Sequence, residues 1–370
     1  MKIDYVIKHF EKWAPLGAAW DKDNIGLQVG NARDEVTNIL LSLDFDKRVL
    51  QQAIKKKCNF IITHHPFIFN PIKKLNFDSD AKSQLIKELI QNNITLYSAH
   101  TNLDYTKDGV SFELAKRIKL QNIKFLEPSE DDKYKLSVFV PEGSVEKVSN
   151  AIFLAGGGII GEYAKCSSQS NVKGTFEGSK LSNPTIGKAN KFEVVNEVKL
   201  EVLINSWELN SIISALKLAH PYEEPAYDIF MLKNKNSNYG AGAIGELENG
   251  MQINEFLAHI KEHLKTDGLK YTIGNNSKIK KVAVCGGTCS NLLKNAMAQK
   301  ADAFITADVK YHTFQDAENK IMLIDAGHYE TEVPVLDIVK SRLDKFVKSE
   351  NATIKVLKFS GSTNPIKFYN

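Results

Sequence analysis

The first third of the chain alternates between short apolar runs and segments with apolar residues at helical spacing. Ile3, Val6, Ile7, Phe10 and Trp13 form one stripe with charges opposite, which predicts an opening helix. AAWDKDNIGLQVGN (18–31), rich in Gly, Asp and Asn, predicts a loop running into a short strand. TNILLSLDF (37–45) predicts a strand and 47–57 a helix. NFIITHHP (59–66) predicts a buried strand that breaks at its proline. Leu85, Ile86, Leu89 and Ile90 mark a helix over 81–91, with Ser79 and Asp80 available as caps. ITLYSA (94–99) predicts a strand and 111–118 a helix. This β-α-β-α-β-α order predicts a mostly parallel sheet.

The pattern changes at EPSEDDK (127–133), which reads as a polar linker. Strands are predicted over 134–140 and 193–204, helices over 145–154 and 210–219, and extended chain over 227–232. Strand–helix–strand occurring twice predicts a ferredoxin-like α+β domain, inserted at 130–235. The first pattern then resumes, with helices predicted over 251–264, 291–300 and 335–346 and strands over 281–285, 303–306 and 321–324. NFIITHHP is echoed by AFITADV (303–309), and ITLYSAH (94–100) by IMLIDAGH (321–328). Residues 1–129 and 236–370 are therefore expected to form one discontinuous α/β domain of two pseudo-symmetric halves.

Length and charge narrow the function. The 370 residues suit two or three domains. Forty-eight basic against 44 acidic residues give a net charge of +4, too mild to argue for nucleic acid. Four cysteines suggest no disulfide framework, which points to a reducing cytoplasm. The N-terminal stretch lacks a signal-peptide core, and no stretch approaches the ~20 apolar residues that span a membrane.

The candidate chemistry sits just after predicted strands. His64 and His65 follow a strand at its carboxyl end, where open α/β sheets place ligands. Asp104 follows another. His328 and Glu332, four apart, share one face of a helix that begins near residue 328. Imidazoles with carboxylates suit Zn, Fe, Mn, Ni or Co rather than Mg or Ca. Five ligands exceed the needs of one tetrahedral zinc, so two divalent ions are expected, about 3.5–4 Å apart with a carboxylate between them. Such a pair lowers the pKa of bound water toward neutrality. Taken singly, each residue also has a structural reading, Asp104 as a turn cap and His328 as a packed side chain. His100 and His312 are secondary candidates for moving a proton, with core or surface histidine the commoner role for each. His220, Glu223 and Glu224 suggest an effector site, a subunit contact or a turn fixed by two prolines. His259 to His263 fits H-x-x-E-H but lies on an amphipathic helix, where it reads as surface. Gly286-Gly287 after a strand suits a bound phosphate or an ordinary turn.

HHP (64–66), HTNLD (100–104) and GHYETE (327–332), with AWDKDNIGLQVG near the start, closely resemble the Nif-three-like family of GTP cyclohydrolase I type 2 homologues. The resemblance spans the whole chain. AHPYEEPAYDI (219–229) looks like the PII/CutA-like insert of the longer members. The resemblance implies a dinuclear site with His65 and Asp104 on one metal, His64 and His328 on the other, and Glu332 bridging. It also implies a toroidal homohexamer with its metal sites facing an internal cavity. The family activity is GTP ring opening, although no guanine-reading set stands out and a phosphoesterase would use the same site. The expected function is thus a metal-dependent hydrolase that uses a metal-bound hydroxide on a nucleotide-like small molecule. The alternative is a metal-binding regulatory or scaffold protein whose inserted domain senses a ligand or mediates assembly.

Overall fold

The computed structural model describes residues 1–130, 132–161 and 163–369. Its contacts divide the chain into two units, 1–128 together with 239–370, and 129–238.

The discontinuous unit holds two sheets. In the first, the spatial order is Gly26–Val29, Thr95–Ser98, Phe60–Thr63, Asn38–Ser42, Lys355–Lys358. All neighbours are parallel except Gly26–Val29, which runs antiparallel to Thr95–Ser98. FIIT and TLYS are buried at every position, because both faces of the sheet are covered. Side chains of alternate residues go to opposite faces. Leu41, Phe60, Ile62 and Tyr97 pack with helices Ile3–Glu11 and Val335–Ser349. Leu40, Ile61 and Leu96 pack with Lys47–Lys55 and Ala81–Gln91.

In the second sheet the order is Lys270–Tyr271, Met322–Asp325, Ala303–Thr306, Lys278–Val284, Gly240–Gln252, Gln121–Pro128. Only Met322–Asp325, Ala303–Thr306 and Lys278–Val284 are mutually parallel. The others pair antiparallel. The first sheet is thus mostly parallel, as expected, and the second is mixed. Two of its antiparallel strands, Gln121–Pro128 and Gly240–Gln252, lie largely in stretches to which the sequence pattern assigned no element. Gly240–Gln252 is glycine-rich and carries no strand-like alternation, yet its glycines have a spatial reason. A Cβ at Gly245 would stand 2.7 Å from the Gln121 carbonyl, and one at Gly240 would stand 2.5 Å from that of Glu127. Gln121–Pro128 is an edge strand whose fully buried side chains are only Phe125 and Leu126.

The inserted unit is a four-stranded antiparallel sheet, ordered Ser167–Glu177, Phe192–Asn205, Lys133–Pro141, Tyr227–Leu232. Helices Val145–Leu154 and Leu209–Ala219 supply Val148, Ile152, Ile212 and Leu216 to a core with Leu136, Val138, Leu200 and Val202. Strand–helix–strand–strand–helix–strand in this spatial order is the ferredoxin-like arrangement. Ser167–Glu177 carries no apolar alternation because no residue along it is fully buried, which hid it from the sequence pattern. The chain leaves the first unit at Pro128 and re-enters it at Tyr239, and Pro128 and Gly240 are register partners. Among the described residues, no helix is long and apolar enough to cross a membrane.

Candidate metal centre

The centre lies in the discontinuous unit, at the carboxyl ends of its strands. Phe60–Thr63 stops where the chain turns, and the backbone N–H groups of His64 and His65 both donate to the Leu43 carbonyl, at 3.1 and 3.0 Å. The turn releases the two imidazoles from strict alternation, and their ring centroids lie 5.0 Å apart. Asp104 ends the one-turn helix Thr101–Asp104, whose Thr101 N–H and hydroxyl donate to Asp23. His328 and Glu332 bound the one-turn helix His328–Glu332, as their spacing predicts. Gly327, with φ 91°, starts that turn. Gly287, with φ 67°, gives Glu332 its room, since a Cβ there would meet Glu332 Oε1 at 2.2 Å. The Gly287 N–H donates to Thr331 Oγ1 at 3.1 Å, so this donor is already engaged within the turn.

Each imidazole is fixed through Nδ1. His64 Nδ1 lies 2.8 Å from the Ala99 carbonyl, His65 Nδ1 2.7 Å from Asp44, His328 Nδ1 2.6 Å from Asp308, and His100 Nδ1 2.9 Å from Asp23. Thr363 and Thr288 hydroxyls in turn donate to Asp44 and Asp308, each at 2.6 Å. An acceptor at Nδ1 leaves Nε2 as the free nitrogen, which is how metal-ligating histidines are oriented.

The free atoms converge. Glu332 Oε2 lies 2.9 Å from His65 Nε2 and 3.2 Å from His328 Nε2, while Oε1 lies 3.8 Å from His64 Nε2. His64 Nε2 lies 3.5 Å from Asp104 Oδ1. Ligand atoms of His65, His328 and Glu332 lie within 4.8 Å of one another, as do those of His64, His65 and His100. His64 Nε2, His65 Nε2, Asp104 Oδ1 and Glu332 Oε2 are buried without a properly directed hydrogen bond. Buried polar atoms normally have partners, and a cation among these four would supply one to each. The donor set therefore fits a metal. The distances group His65 with His328 and Glu332, and His64 with Asp104.

The two buried carboxylates are driven apart. Burial pushes Asp104 up, while Glu332, despite burial, is held well below the usual carboxylate range by His328, His64 and His65. Burial alone would lower His65, but Asp44 and Glu332 outweigh it and push the ring up to about 10. Glu332 raises His328 to about 9 against its burial, with help from Asp308. The centre is thus a dense set of mutually compensating histidines and carboxylates.

Some candidate residues lie elsewhere. His100 joins the cluster, its ring centroid 5.2 Å from that of His64. His312 sits on the helix Tyr311–Ala317 with Nδ1 2.9 Å from Gln315 Oε1, and makes no hydrogen bond to the cluster among the described residues. His259 Nε2 and His263 Nδ1 are each 2.9 Å from a backbone carbonyl, and among the described residues neither joins a group of three or more ligand-type side chains. Sequence reasoning missed Asp23, Asp44 and Asp308 as orienting groups. Their one available signal was position, each in or just after a predicted strand or loop that leads into the site.

Fold and centre together define a mixed α/β protein that gathers histidines and carboxylates at strand ends in a form suited to a metal ion. The model of the Duf34/NIF3 (NGG1p interacting factor 3) family matches residues 1–365, and the chain belongs to that family. It is 35% identical over 365 residues, covering 98% of each chain, to a Halalkalibacterium halodurans protein named GTP cyclohydrolase 1 type 2 homolog. A Bacillus subtilis protein of the same name is 33% identical over 365 residues, covering 98% of this chain and 97% of its own. The crystal structure of a Bacillus cereus protein related to NIF3 matches with a TM-score of 0.83 at 34% identity, covering 100% of this chain and 99% of its own.

Proposed function

We propose that the chain binds two divalent ions (Zn, Fe, Mn, Ni or Co) through His64, His65, Asp104, His328 and Glu332, and acts as a hydrolase on a nucleotide-like small molecule. The convergence of four buried, unpartnered donor atoms carries this reading. Glu332 directs one oxygen to each donor group, which supports a bridging role. When bound, such ions polarise a substrate oxygen and lower the pKa of a water toward neutrality. The protein's own contribution is orientation. Asp44, Asp308 and the Ala99 carbonyl hold the Nδ1 protons and turn each Nε2 inward. His100, steadied by Asp23, stands beside His64 and His65 and is the group placed to pass a proton to or from substrate. A nucleotide-like substrate is supported by the names of the relatives, both homologues of a GTP cyclohydrolase.

On this reading the unit 129–238 corresponds to a PII/CutA-like insert, supported by its ferredoxin-like order and by AHPYEEPAYDI. The working form is a homohexamer in the cytoplasm, supported by the family resemblance and by four free thiols. A regulatory or scaffold role is the second reading, favoured by a cavity inside the inserted unit.

The test is elemental analysis of natively purified protein, wild type beside Glu332→Ala, followed by a screen of nucleotides and phosphoesters. Two metals per subunit, with marked loss in the variant and turnover by wild type alone, are expected. Background metal, or an unchanged load in the variant, overturns the assignment. A full load with no turnover turns the reading to the regulatory protein.

A further inference from the structure

Within the inserted unit lies a cavity of about 780 Å³, a volume typical of small-molecule sites. Its wall mixes apolar side chains, including Phe139, Phe176, Val195 and Ile186, with polar and acidic ones. The connection that follows Ser167–Glu177 is tied to the turn after Ala219. Thr185 Oγ1 donates to the Pro221 carbonyl at 2.6 Å, and the Asn183 N–H donates to Glu223 Oε1 at 3.2 Å. Both segments line the cavity.

One lining group stands out chemically. Glu197 is 6% exposed, yet it lines the cavity. Its Oε1 accepts from the Tyr222 hydroxyl at 2.9 Å. Its Oε2 has no hydrogen-bond partner among the described residues and packs over Gly174, where a Cβ would stand 2.1 Å away. Tyr222 is itself positioned, because its N–H donates to His220 Nδ1 at 3.1 Å while His220 Nε2 donates to the Phe139 carbonyl at 3.0 Å. His220 thereby uses both ring nitrogens in fixing this turn. Burial and the Glu197 carboxylate both push the Tyr222 phenol up, so it stays a donor. A buried carboxylate with a single neutral donor is incompletely paired, and a positive partner would complete it. The remaining charges agree. Glu177, Glu197, Glu223 and Glu224 line the cavity against Lys173, four negative groups to one positive. That balance disfavours a phosphate or another anion.

We propose that this cavity binds a small organic cation, an amine or guanidine with an apolar body, whose charged head pairs with Glu197 and whose body packs against Phe139, Phe176 and Val195. Nothing in this site depends on the metal centre. The site gives the inserted unit a ligand of its own, and a chemistry opposite in charge to a nucleotide.

The test is isothermal titration of the full-length protein with 2-phenylethylamine and hexylamine, with 3-phenylpropionate as an anion of matched shape. Saturable binding of the amines and none of the anion is expected. Glu197→Gln should weaken amine binding at least tenfold, and Phe176→Ala should weaken 2-phenylethylamine several-fold while leaving metal content at the wild-type value. Absence of saturable amine binding, equal binding of 3-phenylpropionate, or unchanged affinity in Glu197→Gln overturns the proposal. If Glu197→Gln does not fold, the anion control and Phe176→Ala decide, since Phe176 is only half-buried. Metal loading measured on the same samples keeps this outcome separate from the fate of the metal centre.

Discussion

Asp23 holds four donors at once, His100 Nδ1 at 2.9 Å, the Thr101 N–H at 3.1 Å and the Thr101 hydroxyl at 2.6 Å on one oxygen, and the Asn24 N–H at 2.9 Å on the other. Burial works to raise its pKa, but His100 and Thr101 outweigh it and bring the carboxyl down to about 2. Its value in an unfolded chain is about 3.9. A folded pKa below the unfolded one stabilises the fold fully above about pH 4 and loses that contribution as pH falls toward 2. Asp23→Asn is therefore expected to reduce stability by on the order of 1–2 kcal/mol at pH 7. Urea midpoints at pH 7 and pH 3 check this, and the gap between variant and wild type should narrow at the lower pH. A gap of constant size would mean that the shape of the group, not its charge, holds His100 and Thr101.

At the scale of elements, the centre depends on strand ends and single helical turns rather than on long helices. Gly287 follows the strand Lys278–Val284 with φ 67° and packs against Glu332 Oε1. Gly287→Ala adds both backbone strain and a collision with a buried carboxylate. It is expected to destabilise by about 1–3 kcal/mol and to lower the bound metal, read by thermal midpoint and elemental analysis together. A folded variant with full metal load would show that Glu332 can shift without loss. Glu332 and its partner His328 were legible in the sequence because spacing of four on one turn needs only local chain. His64 and His65 were legible because an apolar run stopped at Pro66. Asp44 and Asp308 were not, because an aspartate after a strand reads as a turn cap until the fold brings it against an imidazole. The same limit hid Ser167–Glu177 and Gly240–Gln252. Their pairing comes from neighbours distant in sequence, and neither carries the apolar alternation that marks a half-buried strand.

Over the whole molecule, the insertion enters and leaves at one place. Pro128 and Gly240 face each other in antiparallel register, and the Asn236 N–H donates to the Ser129 carbonyl at 2.9 Å, so the inserted unit also closes its own ends. Its core is built from its own residues. Joining Pro128 to Gly240 by Asn-Gly would turn the junction into a two-residue hairpin. The shortened chain is expected to fold, to keep the metal load of the full chain and to lose amine binding, as checked by circular dichroism, elemental analysis and titration. Aggregation of the shortened chain would show that the discontinuous unit needs its insert.

The distance between donors also sets a timetable for synthesis. His65 and His328 are 328 − 65 = 263 positions apart, and at 5–20 residues per second a ribosome takes roughly 13–50 s to cover that interval. For most of it, once Asp104 has been added, the emerging polypeptide carries His64, His65 and Asp104 without the glutamate that faces both donor groups. On the proposed reading, a metal met during that time would find half a site, so full loading would belong to the finished chain.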